Sequence, residues 1–573
     1  MSHIHRRRSA PLRPLRQHFA AATHRRTLLK GLAVAPALGA LSACEGGRAD
    51  SQAARAQPPV APRAEQPSFL HGVASGDPLA DRVVLWTRVT PAADSSAALD
   101  VLWEIATDAD FSAVVAEGVY TTSAERDYTV KVDPTGLAPA TTYYYRFACN
   151  GVQSVVGRTR TAPREATERL RFAVCACNNY TFGYFNGFGA IARRRDLDAV
   201  IHLGDYIYEY GDADDVTGRT HAPAREIVTL ADYRERHAQY KQDPDLAEAH
   251  RQHPFITIWD DHETTNNSYR DGAQNHQPDA EGDWIVRKGQ AVRAYFEWMP
   301  IRDNADSRFD GPEQGLLPEG NGRTYRRLAY GDLVDLILLD TRLAGRVEQN
   351  GTTTVTPEQT ILGEEQRAWL IDALSEAPRA QWTVLAQQMT FAPIKVVPLP
   401  AENGGTFLNS DAWDGYRFDR QLLLDTIEQA GRDNVVILSG DTHVVTAFDV
   451  PKEPSDPTRY NPVTGEGSLA VEFSSNGIAN VGIIGEFFMA NNPHLKYSNL
   501  VAQGYLLLDI DRERAQGEYY FTGLPFVRDA SEVFARALAA RSGSNRLDAT
   551  TLLPAAARED AAALAPDATS HRA

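Results

Sequence analysis

The feature that most constrains this chain recurs five times: a short apolar run that stops on side chains able to hold a cation. Val200-Ile201-His202-Leu203-Gly204-Asp205-Tyr206-Ile207-Tyr208 sets the pattern. Its first residues have the length and composition of a buried strand, and Gly204-Asp205 reads as the turn that closes it. Asp205 and Tyr208 then fall at the strand's C-terminal end, where open α/β sheets place their ligands. Four other runs behave alike. Residues 170–174 lead onto Cys175-Ala176-Cys177-Asn178-Asn179, and 255–259 onto Asp260-Asp261-His262-Glu263. Residues 333–339 lead onto Asp340-Thr341-Arg342, and 434–438 onto Ser439-Gly440-Asp441-Thr442-His443. Five strands delivering such residues at one end describe one site.

The rest of the chain divides around that site, because 573 residues are too many for one ordinary core. Residues 1–44 carry a twin-arginine pattern at Thr23-His24-Arg25-Arg26-Thr27-Leu28-Leu29-Lys30, then an apolar stretch too short to span a bilayer. This resembles a Tat signal, so passage through the Tat export machinery to the periplasm or the exterior is expected. Leu41-Ser42-Ala43-Cys44 looks like a lipoprotein box with Cys44 as lipid anchor; cleavage by ordinary signal peptidase nearby is the alternative. Residues 45–67, rich in Ala, Pro, Arg and Gln, read as a flexible linker.

Residues 68–163 alternate short strands with turns, predicting an N-terminal fibronectin- or Ig-like β-sandwich in which a tyrosine after Gly136-Leu137-Ala138-Pro139 ties a loop to its strand. Over 164–530, strands alternate with helical patterns at 231–240, 285–298, 364–374 and 421–429. That alternation predicts an α/β catalytic domain, a mixed β-sandwich flanked by helices. Residues 531–540 read as a final helix, followed by an Ala-rich disordered tail to 573.

Charge and cysteine usage narrow the chemistry. The formal charge of −17 leaves no basic surplus for a nucleic-acid-binding surface, and an acidic protein handling phosphate esters needs cations to offset its own charge. If Cys44 is removed or lipidated, Cys149, Cys175 and Cys177 remain, an odd number, with the last two too close to pair easily. Cys177 therefore reads as a metal thiolate, against the commoner fate of a buried apolar thiol. Asp205, Asp261, Asp441 and His443 suit divalent or trivalent ions, and a carboxylate can bridge two ions roughly 3.5–4 Å apart. With Cys177 and Tyr208 as anionic donors the expected occupants are a trivalent ion such as Fe3+ and, at the oxygen ligands, Ca2+ or another hard dication. His262 is placed to protonate a leaving group or orient the phosphate or, alternatively, to orient Asp261. Arg342 can fork onto a substrate phosphate or form a structural salt bridge, and Asn178 is a neutral donor toward substrate.

Taken together, Ala-Cys-Asn-Asn around Cys177, Gly-Asp-Tyr-Ile-Tyr-Glu from Gly204, Trp-Asp-Asp-His-Glu from Trp259 with Asn266-Asn267, and Ser-Gly-Asp-Thr-His from Ser439 resemble one family. It is that of the PhoD-like alkaline phosphatases and phosphodiesterases of the metallophosphoesterase superfamily, over residues 68–525. The resemblance implies iron held through Cys177, Asp205, Tyr208 and His443 or Asp441. It also implies calcium sharing Asp205 with Asp441 and an Asn of the 266–267 pair, taken as Asn267. It further implies hydrolysis of small phosphate monoesters and diesters; a monomer is expected. The alternatives are a phospholipase or nucleotide phosphodiesterase on the same core, or a non-catalytic phosphate- or metal-binding protein. A serine hydrolase is disfavoured, since no Gly-x-Ser-x-Gly elbow occurs.

Overall fold

Strands that are apolar on both faces must be covered on both faces, and the computed structural model satisfies this with two stacked sheets between layers of helix. It describes residues 67–92, 96–211, 217–303, 322–396, 406–407, 409–480, 492–548 and 552–567. The twin-arginine leader, Cys44, the linker to residue 66 and part of the 403–416 loop lie outside the described residues.

The first sheet runs in the order Glu532–Arg541, Arg514–Thr522, Gly504–Asp511, Arg169–Asn178, Ala199–His202, Pro254–Thr257, Val73–Gly76, Val84–Arg88 and Thr129–Val132, with Gly477–Ala479 alongside the end of Arg169–Asn178. The second runs Arg326–Tyr330, Val334–Leu338, Trp382–Ala386, Val435–Ser439, Ser468–Ser474, Val445–Pro451, Leu495–Asn499. Phe172, Val174, Ile201 and Leu506 of the first sheet pack with Leu336, Val384, Leu438 and Phe473 of the second in one core. Helices Leu230–Lys241, Pro244–Gln252 and Trp284–Trp298 cover the outer face of the first sheet, and Gly363–Ser375 and Arg417–Gln429 that of the second. Local chemistry starts two of these helices: Thr229 and Asp232 form a capping box, and Asp243 caps a helix with proline in its first turn. Among the described residues no helix is long and apolar enough to cross a membrane.

The strands that matter for the site run parallel. Ala199–His202 pairs in parallel with both Arg169–Asn178 and Pro254–Thr257, and Trp382–Ala386 with both Val334–Leu338 and Val435–Ser439. Their C-terminal ends meet across the two sheets. Gln388 links them, donating to Trp259 O at 2.6 Å while its own carbonyl accepts from Gly440 N at 2.6 Å.

The N-terminal region forms the expected β-sandwich, one layer of which continues the first catalytic sheet, whereas two expectations for the C-terminal region are corrected. Val73–Gly76, Val84–Arg88 and Thr129–Val132 make that shared layer, Val73–Gly76 pairing in parallel with Pro254–Thr257. A five-stranded sheet from Leu99–Ala106, Val114–Thr122, Thr142–Cys149, Val152–Gln153 and Gly157–Arg160 packs over them, and Val101, Ile105, Tyr145 and Phe147 meet Val73, Leu85 and Val130. The expected tyrosine tie is Tyr143, whose hydroxyl accepts from Ala138 N at 2.9 Å. The helix expected at 531–540 is instead the strand Glu532–Arg541, paired along its length with Arg514–Thr522. Tertiary pairing overrides the alanine-rich propensity, and alternation sends Leu538 and Ala540 into the inter-sheet core. The tail expected to be disordered lies, over 552–567, along the body. Arg169, Arg195, Arg251 and Tyr144 donate to the carbonyls of Ala556, Ala561, Pro566 and Ala563, and Ala565 is buried beside Phe111 and Tyr144.

Candidate metal centre and active site

The strand ends converge through unusual backbone. Cys177, Asp205, Asn267, Asp441 and His443 all have positive φ, between 52° and 61°, a region costly for residues with a Cβ and found where surrounding structure enforces it. For Cys177 the consequence is direct. Phe172, Val174 and Ala176 face the inter-sheet core while Ala173 and Cys175 face the helices. Strict alternation would send Cys177 after Cys175, but its left-handed backbone turns it to the other side. Cys175 stays in the helix-side core with its thiol 3.9 Å from Ile201 O, so Cys177 is the sulfur at the site.

Three groups of side chains offer ligand atoms that all lie within 4.8 Å of one another: Cys177, Asp205 and His443; Asp205, Asp261 and His262; Asp260, Asp261 and Asp441. Asp205 and Asp261 each belong to two of them. Tyr208 joins the first, its hydroxyl donating to Asp205 Oδ2 at 2.9 Å and lying 3.5 Å from His443 Nε2. Glu263 secures the turns beneath by accepting from the amides of Asp205, Tyr206 and Asp260.

The electrostatics ask for cations. Burial, reinforced by Asp260, Asp261 and Glu263, pushes the Asp205 carboxyl well above its usual range, and burial with Asp260 does the same to Asp441. Burial and the neighbouring Asp205 likewise push the Cys177 thiol and the Tyr208 phenol up. Asp261 is the exception: against burial, Arg342 and His262 hold its carboxyl down at about 2. Asp205 Oδ1 is buried with no hydrogen-bond partner, a costly arrangement for a carboxylate. A positive ion set among these atoms satisfies both the orphaned oxygen and the excess of acids, so the donor set fits metal.

Four further residues are placed by their partners. Arg342 is fully buried and commits its fork to protein: Nε to Asp260 at 2.5 Å, Nη1 to Asp411 at 2.8 Å, Nη2 to Asp441 at 3.2 Å, with Asp261 at 3.6 Å. It binds the acidic strand ends together and is the salt-bridged residue, not one turned to a substrate phosphate. The Asn178 side chain is also spent, donating to Tyr206 O and lying 2.8 Å from His202 Nε2, so it braces two strands. Asn267 donates its amide N–H to Asp261 Oδ2 at 2.6 Å and its side-chain nitrogen to Gln274. His262 stands with Nδ1 2.6 Å from Glu209 Oε2; burial alone would discharge it, but Glu209, Asp261 and Asp205 raise its pKa well above the ordinary value.

Three site residues escape the sequence reading. Glu209 and Asp260 stand inside motifs whose neighbours carry the ligand signal. Asn480, whose Nδ2 lies 3.0 Å from both the Tyr208 hydroxyl and His443 Nε2, follows a sixth run of the same kind: strand Ser468–Ser474 leads onto Ser475-Asn476-Gly477.

Helix-covered stacked sheets with acid-rich parallel strand ends define a metallophosphoesterase-type architecture. Comparison with known proteins specifies it. The PhoD-like phosphatase model matches residues 172–519, and that of the PhoD-like phosphatase N-terminal domain matches 52–163. Alkaline phosphatase D of Bacillus subtilis (strain 168) is 34% identical over 489 residues, 82% of this chain and 80% of that protein. A solved structure of PhoD aligns with a TM-score of 0.74 at 30% identity, over 87% of this chain and 95% of the other. The chain belongs to the PhoD-like phosphatase family and is a phosphoric ester hydrolase.

Proposed function

We propose that this is an exported, metal-dependent phosphoesterase that cleaves both monoesters and diesters, using Fe3+ and Ca2+. The observation that carries the metal reading is the buried, unpartnered Asp205 Oδ1 set among a thiol, a phenol and an imidazole. Cys177, Tyr208, Asp205 and His443 form the sulfur-, phenol- and nitrogen-containing set suited to iron, and Asp205, Asp261, Asp441 and Asn267 the oxygen set suited to calcium. Such ions, when bound, neutralise phosphoryl oxygens and lower the pKa of a water molecule. The chain's own part is to hold that charge in place through Arg342 and Glu263, and to deliver a proton from His262 to the departing ester oxygen. The twin-arginine leader supports export, and Cys44 supports a lipid anchor.

Diester cleavage is favoured because the cations nearest the site are already engaged: Arg342 and Arg346 both pair with Asp411. A monoester dianion is left without an extra clamp. A phospholipase or nucleotide phosphodiesterase on the same core remains the second reading, since rim residues decide it. Elemental analysis of native enzyme is expected to find iron together with calcium, with visible charge-transfer absorbance from Cys177 and Tyr208; zinc alone in a colourless protein overturns the assignment. A bis-aryl phosphate is expected to be hydrolysed at a rate comparable to the monoaryl ester. An undetectable diester rate would point to a basic clamp from rim loops.

A further inference from the structure

His262 is enclosed by three consecutive residues of the turn that follows strand Ala199–His202. The Tyr208 ring stacks on the imidazole at a centroid distance of 4.2 Å and 28° between planes, and the Tyr210 ring meets it at 5.2 Å and 64°. Between them Glu209, fully buried, takes Nδ1 at 2.6 Å through Oε2. Its other oxygen is occupied separately: Oε1 accepts from Asn266 N at 2.8 Å, Thr265 Oγ1 at 3.1 Å and Asn275 Nδ2 at 3.1 Å. The carboxylate is therefore oriented by three donors that leave only Oε2 for the histidine.

We infer that Glu209 is a positioning residue for the reaction. By accepting the Nδ1–H of the imidazolium it fixes the ring, so that the second proton, on Nε2, is the one offered to the departing oxygen. The inference rests on the reading of His262 as proton donor given above. In the step itself phosphorus gains a bond to the oxygen of water and loses its bond to the ester oxygen. That oxygen takes the Nε2 proton, and the proton shed by the attacking water restores it, so one water is consumed per ester.

The test exploits the three donors on Oε1. In Glu209→Gln they hold the amide oxygen where Oε1 was and turn the amide N–H toward Nδ1, which must then present a lone pair; the ring is left neutral, and its Nε2–H is too weak an acid to protonate an alkoxide. Protonation matters most where the leaving oxygen is basic, so kcat for an alkyl phosphate such as glycerol phosphate is expected to fall about 100-fold or more. For p-nitrophenyl phosphate the fall is expected to be no more than about tenfold, with KM and metal content unchanged. The ratio of the two rates on one preparation does not depend on the fraction of protein folded. Equal losses on both substrates overturn the inference. His262→Ala, run in parallel, must show the same bias. If it does not, the donor reading of His262 fails. If it does while Glu209→Gln shows none, the positioning role of Glu209 fails alone. The double variant is expected to be no slower than His262→Ala, and a further loss also overturns the inference.

Discussion

Two buried polar clusters lie on opposite faces of strands Arg169–Asn178 and Ala199–His202, and they are unbalanced in opposite senses. Toward the site stand Asp205, Asp260, Asp261, Asp441, Cys177 and Tyr208, with Arg342 and His262 as the nearby cations. Toward the helices stand Lys241, His71, His202, His237 and His250 among Trp86, Tyr206 and Trp298, and none of these bases forms an ion pair among the described residues. Low dielectric resolves the second cluster by discharging it. Burial pulls His71, His202 and His237 down to about 3 and Lys241 and His250 well below their ordinary values. The neutral rings then stack, His250 on Phe255 at 3.8 Å and His237 on Trp298 at 6.4 Å. The acidic cluster cannot be resolved in this way without discarding the charge that makes it a ligand set, and the metals proposed above are its remedy. Burying unpaired charge has two remedies, and this chain uses one on each side of a sheet.

The sharpest way to break the comparison is Asp205→Asn. Loss of the shared carboxylate is expected to lower kcat/KM for a chromogenic phosphate ester on the order of 10³-fold. The same change removes an uncompensated buried acid, so the unfolding temperature of metal-free protein should hold or rise. Activity within tenfold of the parent, or a marked fall in that temperature, contradicts the division into a functional and a structural cluster.

Much of the acidic cluster was legible in the sequence because each ligand-type residue directly follows an apolar run, and strand direction then fixes which end it occupies. What was not legible depends on backbone twist or distant partners. The left-handed φ of Cys177 decides which of two thiols enters the site, and no spacing rule announces it. Arg342 and Asn178 sit where expected along the chain, but Asp260, Asp411 and Tyr206 claim their donors and His202 the Asn178 oxygen, and those partners lie far away in sequence. The basic cluster went unread because His237 and Lys241 fall on a largely polar helix with no apolar stripe to mark its buried face, and His250 on an ordinary amphipathic one. Glu532–Arg541 was misread because a strand at the edge of a large sheet takes its structure from Arg514–Thr522.

A smaller effect sharpens the comparison from the basic side. The histidines carry their proton in the unfolded chain below about 6.5 but resist it in the folded one until about 3. The unfolded state therefore binds more protons across that window, and their contribution to stability, complete above pH 6.5, is lost as pH falls toward 3. Asp205 and Asp441, with raised pKa values in metal-free protein, act with the opposite sign. Both nitrogens of His237 lack hydrogen-bond partners. In His237→Phe the ring stacking is kept and two unsatisfied polar atoms go, so stability at pH 7 is expected to rise by about 1 kcal/mol. The loss of stability between pH 6.5 and 4 should also become shallower. Denaturant unfolding of chelator-treated protein across that range checks both, and an unchanged slope would mean that His237 is not among the titrating groups.

The smallest expected effect separates the two clusters within a single strand. Cys175 and Cys177 are two residues apart and both fully buried, yet one belongs to the helix-side core and the other to the site. Burial alone pushes the Cys175 thiol far up, whereas Cys177 feels Asp205 and Asp441 as well. Cys175→Ala removes only a small apolar group and a weak S–H contact to Ile201 O. It is expected to cost about 1 kcal/mol of stability while leaving kcat, iron content and visible absorbance within the error of the parent. Cys177→Ala should lose the absorbance. If Cys175→Ala loses iron or colour instead, the left-handed turn at Cys177 does not set which sulfur serves the metal, and the boundary between the two clusters is drawn on the wrong residue.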